Sequence, residues 1–430
     1  MTIRPWALLA GLAGLLVLLT APAAATARPL FGVQVDSIQP TDTPGQVDAE
    51  LHRLATLHAQ TVRVEVDWSQ LEPHVQGRRD PVILADLDRI VDGAARQGLA
   101  VVMFADRSPC WASSAPVKPN CLRRGSNTFE VTRYGPSDPQ TYVDLATFLA
   151  ARYGSDLRAF EVWNEPDQAN QNYWAGPDKV NRYVALLEAV YGPLKQVNPG
   201  LQVLAGSFIG TDGRWLKALY AAGARGSYDA LSVHFYDLPL NALATTHAVQ
   251  LAHHDTTPLW LTEYGWTSCA GTDGASVPND HPCVTQATQA QSIVDVVRAL
   301  HATSWVAAAI MYTMSDQTPA YQFGLVDRAD RLKPAFGALQ QALSRPLGPL
   351  RVPGLTLRRA GRRTVVSGTG SLADLYTLEV SVHGRLRYRA QVRTTRTGRY
   401  TVTLPAVLGT RGLRVRITSR WSHRATTRTL

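Results

Sequence analysis

Cysteine is scarce in this chain, with four in 430 residues. None falls in the short thiolate spacing of a zinc motif and no histidine pair accompanies them, so no metal centre is expected. They form two pairs close in sequence instead, Cys110 with Cys121 and Cys269 with Cys283, each bracketing loop-like residues. Local disulfides are the simplest pairing, although four cysteines allow three connectivities. Long apolar runs are equally scarce. Beyond Thr20 nothing approaches the roughly 20 residues that a membrane-spanning helix needs. The stretch Ala7 to Thr20 follows a single cation, Arg4, and leads into small residues ending Ala25-Thr26-Ala27. That is the composition of an export signal over residues 1–27, cleaved near Ala27, with an uncleaved anchor as the alternative. Export predicts a secreted or cell-envelope location, where disulfides persist. Nothing in the sequence implies a cofactor.

A second absence divides the chain. From Pro346 to Leu430 there is no lysine, and Asp374 and Glu379 are the only acids against 17 arginines. That segment carries +15, so residues 1–345 hold about −6 of the net +9. Two readings of the basic segment stay open: a cationic face that holds an anionic polymer, or a solvated face on an accessory domain. Arginine's planar fork suits carboxylate and phosphate. With export, an acidic polysaccharide or envelope polymer is the expected partner, and nucleic acid is not.

Between Leu30 and Leu343, short apolar, β-branched runs alternate with longer segments of helical period, eight of each. This is the pattern of β-α units closing a parallel sheet, and it predicts an α/β fold with a (β/α)8 TIM barrel over residues 28–345. Strands are expected to start near Phe31, Thr61, Leu99, Leu157, Leu201, Ala230, Pro258 and Val306. In the segment from Ile83 to Arg96, Ile83, Leu84, Leu87, Ile90, Val91 and Ala94 share one stripe, as in an amphipathic helix. The last helix is expected from Pro334 to Leu343. After Pro346 the helical period gives way to short alternating runs, which predict a small all-β sandwich over 346–430. There Leu386, Tyr388, Ala390 and Val392 alternate with Arg387, Arg389 and Arg393, so one face is expected to pack and the other to be cationic.

Chemistry in such a barrel sits at the carboxyl ends of the strands. Those ends are unusually polar here: Asp67-Trp68, Asn164-Glu165, His234-Phe235-Tyr236 and Glu263-Tyr264. The fourth and seventh strands lie on opposite sides of an eight-stranded ring, so Glu165 and Glu263 can face each other across the mouth. One carboxylic acid and one carboxylate about 5 Å apart are what glycosidic cleavage with retention requires.

The segments Glu161-Val-Trp-Asn-Glu-Pro-Asp and Leu261-Thr-Glu-Tyr-Gly-Trp resemble the two signature strands of clan A glycoside hydrolases, most of all family 39, with family 5 next. The resemblance covers about Leu30 to Leu343, with close matches only at the strand ends. It implies a retaining hydrolase of β-linked sugars in which Glu165 is the acid/base and Glu263 the nucleophile. It also implies that Asn164 binds the sugar 2-hydroxyl, Arg63 and Tyr236 hold the nucleophile carboxylate, and His234 lines the first subsite. A tryptophan platform usually ends the eighth strand in that clan; here Met311-Tyr312 stands there, so Tyr312 is its expected replacement. Trp68, Trp111, Trp174 and Trp266 are further platform candidates. Two other functions share the scaffold: transglycosylation through the same intermediate, and a non-catalytic protein that binds carbohydrate or cell envelope.

Overall fold

The computed structural model describes residues 29–35, 43–210, 212–236, 240–268, 281, 283–318, 321–345, 347–348, 350–395 and 397–430. The expected export signal, residues 1–27, lies outside them, as does Cys269. No helix among the described residues is long and apolar enough to cross a membrane.

Eight strands form a closed barrel in which each pairs parallel with its sequence neighbours and the first pairs with the eighth. They are β1 (Leu30–Gln34), β2 (Thr61–Asp67), β3 (Ala100–Asp106), β4 (Leu157–Val162), β5 (Gln202–Phe208), β6 (Ala230–Tyr236), β7 (Leu259–Gly265) and β8 (Val306–Met311). Their starts fall within a residue of the expected ones. The helices are α1 (Pro44–Thr56), α2 (Trp68–Leu71), α3 (Pro81–Arg96), α4 (Phe129–Thr132), α5 (Pro139–Tyr153), α6 (Lys179–Val197), α7 (Arg214–Ala221), α8 (Asn241–Ala252), α9 (Gln286–Leu300) and α10 (Pro334–Ser344). The one-turn α2 and α4 are additions to the eight expected; both sit in loops after strand ends, where the long excursions over the mouth begin.

Local chemistry fixes where the helices start. Thr43, Asp80 and Asp138 each cap a helix whose first residue is proline, satisfying backbone N–H groups that have no partner within the helix. Along α3, Leu87, Ile90, Val91 and Ala94 are buried on the predicted stripe.

The barrel interior is packed by small and apolar side chains, among them Val102, Ala159, Leu204, Ala230, Trp260 and Ile310. Two residues further along, Glu161 follows Ala159 and Thr262 follows Trp260, so the interior turns polar toward the carboxyl ends. Gly206 permits the close approach of β5 to β4 there, since a Cβ on it would lie 2.5 Å from the Val162 carbonyl oxygen.

The C-terminal segment forms two antiparallel sheets, one ordered β13-β10-β9 and the other β12-β11-β14-β15. The strands are β9 (Thr356–Ala360), β10 (Arg363–Thr369), β11 (Tyr376–Val382), β12 (Arg385–Val392), β13 (Arg399–Thr403), β14 (Leu413–Ser419) and β15 (Ala425–Thr429). Val366, Tyr376, Leu378, Val415 and Ile417 help to fill a core of their own between the sheets. One expected position is corrected. Leu386 is half exposed, because a register shift at Val380/Ser381 sets it opposite Ser381, whereas Val392 is buried as expected. The sandwich docks on the barrel wall: Leu350 and Ala373 join the barrel's apolar core, Trp421 packs against it, and the Leu240 N–H donates to the Ala373 carbonyl at 2.8 Å.

Cys110 and Cys121 form a disulfide in the loop after β3. Cys283 is also disulfide-bonded.

Candidate active site

Arg63, on β2, is fully buried and organises the mouth of the barrel. Its guanidinium lies 2.7 Å from Glu161 and 2.6 Å from Glu263. It also donates to Gln34, to Asn164 Oδ1 at 3.3 Å and to Ser207 Oγ at 3.4 Å, and it stacks over Phe104 at 3.9 Å. Two carboxylates around one guanidinium offset the cost of burying it; removing one member of such a group strands the others without water.

Glu263 takes Arg63 on Oε1 and the Tyr236 hydroxyl on Oε2. Burial and the neighbouring Glu263 push the Tyr236 phenol well above its usual range, so it stays a donor. Glu165 faces Glu263 from the turn after β4. Its Oε1 lies 2.8 Å from His234 Nδ1, and its Oε2 accepts from Gln168 at 2.7 Å. Glu165, His234 and Glu263 each present one atom within 4.8 Å of the other two. Such a group can chelate a cation, but here Arg63 already supplies the positive charge beside Glu263.

The turn that aims Glu165 departs from ordinary backbone. Trp163 and Glu165 both have left-handed φ, +71° and +42°, a conformation that side chains tolerate only where the surroundings hold it. The Trp163 indole N–H donates to the Tyr173 carbonyl at 2.6 Å, and its backbone N–H donates to the Tyr142 hydroxyl at 3.3 Å. A chain of ring contacts, Trp68–Tyr142–Trp163–Trp174–Tyr183, runs behind β2 to β5 with centroids 5.1–5.9 Å apart.

The acid–base balance is set by burial. Glu165 is raised well above the ordinary carboxylate range, first by desolvation and then by Glu263, with Asp167 adding to the effect and Arg63 opposing it. His234 is pushed well below its usual value by burial and by Arg63, so it is neutral. Asp106, buried at the end of β3, is raised by desolvation and by Glu65.

These groups border a cavity of about 800 Å³, within the range of about 300–1,000 Å³ usual for small-molecule sites. Asn164, Glu165, His234, Tyr236, Glu263 and Tyr312 all line it, and Arg63 reaches it through Glu263. Asn164 gives its amide oxygen to Arg63, which leaves its NH2 free to donate to a ligand.

The tryptophan candidates are elsewhere, and this is a correction. Trp68 is fully buried, its indole N–H donates to Glu72, and its ring meets Trp111 and Tyr142 edge-on. Trp266 and Trp174 are buried too; the Trp266 carbonyl is held by Gln289 of α9. Trp111 gives its N–H to the Glu72 carbonyl. None of the four lines the cavity. A tryptophan at a strand end can turn toward the mouth or outward under the helices, and these turn outward. Besides Tyr236, the aromatic lining is Phe104, Tyr173, Tyr312, Tyr321 and Phe323. Tyr312 meets Phe323 edge-on at 5.7 Å.

Sequence reasoning also missed Glu161, Gln34, Gln168 and Arg107. Glu161 left a signal: a lone acid inside an apolar strand, two residues past Ala159 and so on the inward side. Arg107 had none, since its position depends on a left-handed turn after β3.

Residues 139–338, which run from α5 past both glutamates into α10, match the family model described as the glycosyl hydrolase catalytic core. The matched span is similar to a glycosidase catalytic core. The barrel has several structural neighbours. A family 39 glycoside hydrolase from Bacteroides cellulosilyticus WH2 superposes with a TM-score of 0.54 at 17% identity, over 89% of this chain and 80% of that one. A family 39 β-xylosidase from Caulobacter crescentus gives 0.54 at 16%, over 88% and 94%. A family 30 endoxylanase from Clostridium papyrosolvens C71 gives 0.51 at 15%, over 88% and 94%. At such identities the likeness is one of fold. No curated protein matches the chain.

Proposed function

We propose that this protein is a retaining glycosidase that cleaves β-linked poly- or oligosaccharide by double displacement. The observation that carries the reading is the spacing of Glu165 and Glu263, with oxygens within 4.8 Å of each other. Retention needs carboxyl groups about 5–5.5 Å apart, whereas inversion leaves about 6.5–9.5 Å for a water.

In the first step the Glu263 carboxylate attacks the anomeric carbon and the glycosidic C–O bond breaks, while Glu165 delivers its proton to the departing oxygen. The product is a glycosyl ester on Glu263. Esterification removes the negative charge that had kept the Glu165 proton in place, so Glu165 becomes a better base. It then takes a proton from water as the water oxygen attacks the anomeric carbon, and Glu263 leaves as carboxylate. Arg63 and Tyr236 hold Glu263 in line throughout, neutral His234 orients Glu165, and the Asn164 amide donates to the sugar's 2-hydroxyl. Tyr312 takes the place of the platform under the first sugar.

Endo action on a chain is the preferred mode, and the export signal directs the enzyme outside the cell. The basic sandwich then holds an anionic envelope polymer or the polysaccharide itself. The test is release of reducing ends from a panel of β-linked and acidic polysaccharides, with product sizes, comparing wild type and Glu263→Gln. Short mixed products from wild type and none from the variant are expected. Normal release by Glu263→Gln would overturn the nucleophile, and release of single sugars from chain ends would overturn the endo mode.

A further inference from the structure

A second cavity, of about 850 Å³, lies where the sandwich meets the barrel wall. Its barrel side is the start of α8, the last turn of α9 and the turn from Ala302 to Trp305; its sandwich side is Thr377, Thr418 and the turn from Ser419 to Arg424. It shares no lining residue with the catalytic cavity.

Two features set its chemistry. The first is charge: Arg298, Arg420 and Arg424 line it together with His423, and no carboxylate does. None of the three guanidiniums is ion-paired among the described residues. The Arg424 guanidinium donates to the Leu350 carbonyl at 3.0 Å, and the Nε of Arg298 is buried with no partner among the described residues. Two acids are close by: Asp295, which interacts electrostatically with Arg298, and Asp374, which accepts from the Ser419 hydroxyl. Neither is part of the lining.

The second feature is aromatic. Trp305 and Trp421, both partly exposed, stand with centroids 5.7 Å apart and planes 58° from each other. His247 stacks flat on Trp305 at 4.4 Å, and the Trp421 indole reaches the Ala299 carbonyl at 3.5 Å. The rings are fixed before any ligand arrives, which lowers the entropy cost of binding.

The cavity also continues. On β14, Thr418 belongs to the outward row that runs through Arg416 and Arg414, while Arg389, on the same face, is ion-paired with Glu379. Four residues of strand add about 13 Å of cationic surface. A single anion would use one end of this; a chain uses its length.

We propose that this cleft is a second glycan-binding site, for an acidic polysaccharide chain whose sugar faces lie on Trp305 and Trp421 and whose acid groups meet Arg298, Arg420 and Arg424. It rests on the glycosidase reading only in choosing a saccharide over other polyanions. The site retains polymer without taking part in its cleavage.

The test is binding of the full chain to immobilised polygalacturonate, dextran sulfate, inorganic polyphosphate and a neutral β-glucan. The variants are Arg298→Glu/Arg420→Glu, the control Arg358→Glu/Arg359→Glu with the same change of charge on the other sheet, and Trp421→Leu with none. Wild type and control are expected to bind an acidic glycan, and the cleft pair to bind it at least about tenfold more weakly, or about 1.4 kcal/mol. Retention on polygalacturonate identifies carboxylates as the recognised group, and retention on dextran sulfate alone identifies sulfate esters. Trp421→Leu is expected to weaken the glycan and leave polyphosphate unchanged. Equal losses in the two charge-reversed pairs, no loss in the cleft pair, equal binding of the neutral glucan, or a tryptophan effect shared with polyphosphate would each overturn the proposal. Thermal melts of each variant show that it is folded. Binding is read without turnover, so its failure leaves the glycosidase reading standing, while binding without any reducing-end release removes that reading alone.

Discussion

Glu165 is buried against a second carboxylate, and in the proposed mechanism it must carry a proton to begin the reaction. The rate of the first step should therefore fall as pH rises through its elevated pKa. Glu165→Gln should remove that alkaline limb and slow substrates with poor leaving groups by about 10²–10⁴-fold, with good leaving groups slowed least. Profiles of kcat/KM against pH for a series of aryl glycosides check both points; a limb that persists in the variant assigns the acid elsewhere. The same burial acts on stability with a definite sign. A carboxyl whose folded pKa exceeds its unfolded value contributes stability that is complete below the unfolded value and is lost as pH rises toward the folded one, about 1.4 kcal/mol per unit. Glu165→Gln should thus melt above wild type at neutral pH, with the gap closing toward about pH 4 in thermal scans. Arg63→Met should do the opposite, since it leaves Glu161 and Glu263 buried without their partner; a loss of about 3–5 kcal/mol in denaturant titrations is expected. That Glu165, Glu263, Asn164, His234 and Tyr236 gather at the mouth was legible in the sequence because they stand at strand ends, where polar residues are costly, while Arg63 was singled out only by the resemblance to clan A. The aromatic lining was not, because a strand-end tryptophan does not declare whether it faces the mouth or the helices.

At the level of elements, the barrel was readable almost residue by residue. Parallel strands covered on both sides are continuous apolar runs, and the Asp-Pro beginnings of α3 and α5 mark their ends sharply. The outer sheet of the sandwich was less so. The alternation of β12 is intact in sequence, but a register shift sends Leu386 outward, and such a shift has no signature in one strand read alone. Between β3 and α5 the long loop is held by Cys110–Cys121 and by Asn127, whose side chain reaches the Cys110 N–H and the carbonyls of Ser69 and Pro73. Closing so short a loop is worth up to about 3 kcal/mol in the unfolded-chain model. Cys110→Ser/Cys121→Ser should lower the melting temperature accordingly, and reductant should lower that of wild type by more than that of the variant, which keeps the disulfide at Cys283.

Over the whole molecule, charge is divided between the two parts, near −6 on residues 1–345 and +15 on the rest. Retention of an acidic polymer by the sandwich should weaken steeply as salt is raised from about 50 to about 500 mM, as screening shortens to a few ångströms. Hydrolysis of a small neutral aryl glycoside, which touches only the barrel mouth, should be unaffected. Binding and turnover measured across the same salt series check the separation, and parallel loss of both would contradict it. The packing of indoles carries this division into optics. Trp68, Trp111, Trp163 and Trp174 sit in one run of ring contacts behind the catalytic strands, close enough to couple electronically and give strong near-ultraviolet dichroism. Trp305 and Trp421 form a separate, partly wet pair at the cleft. The chain thus carries two built-in reporters: a dichroic one that follows the integrity of the barrel, and an emissive one that an occupant of the cleft would quench or shift.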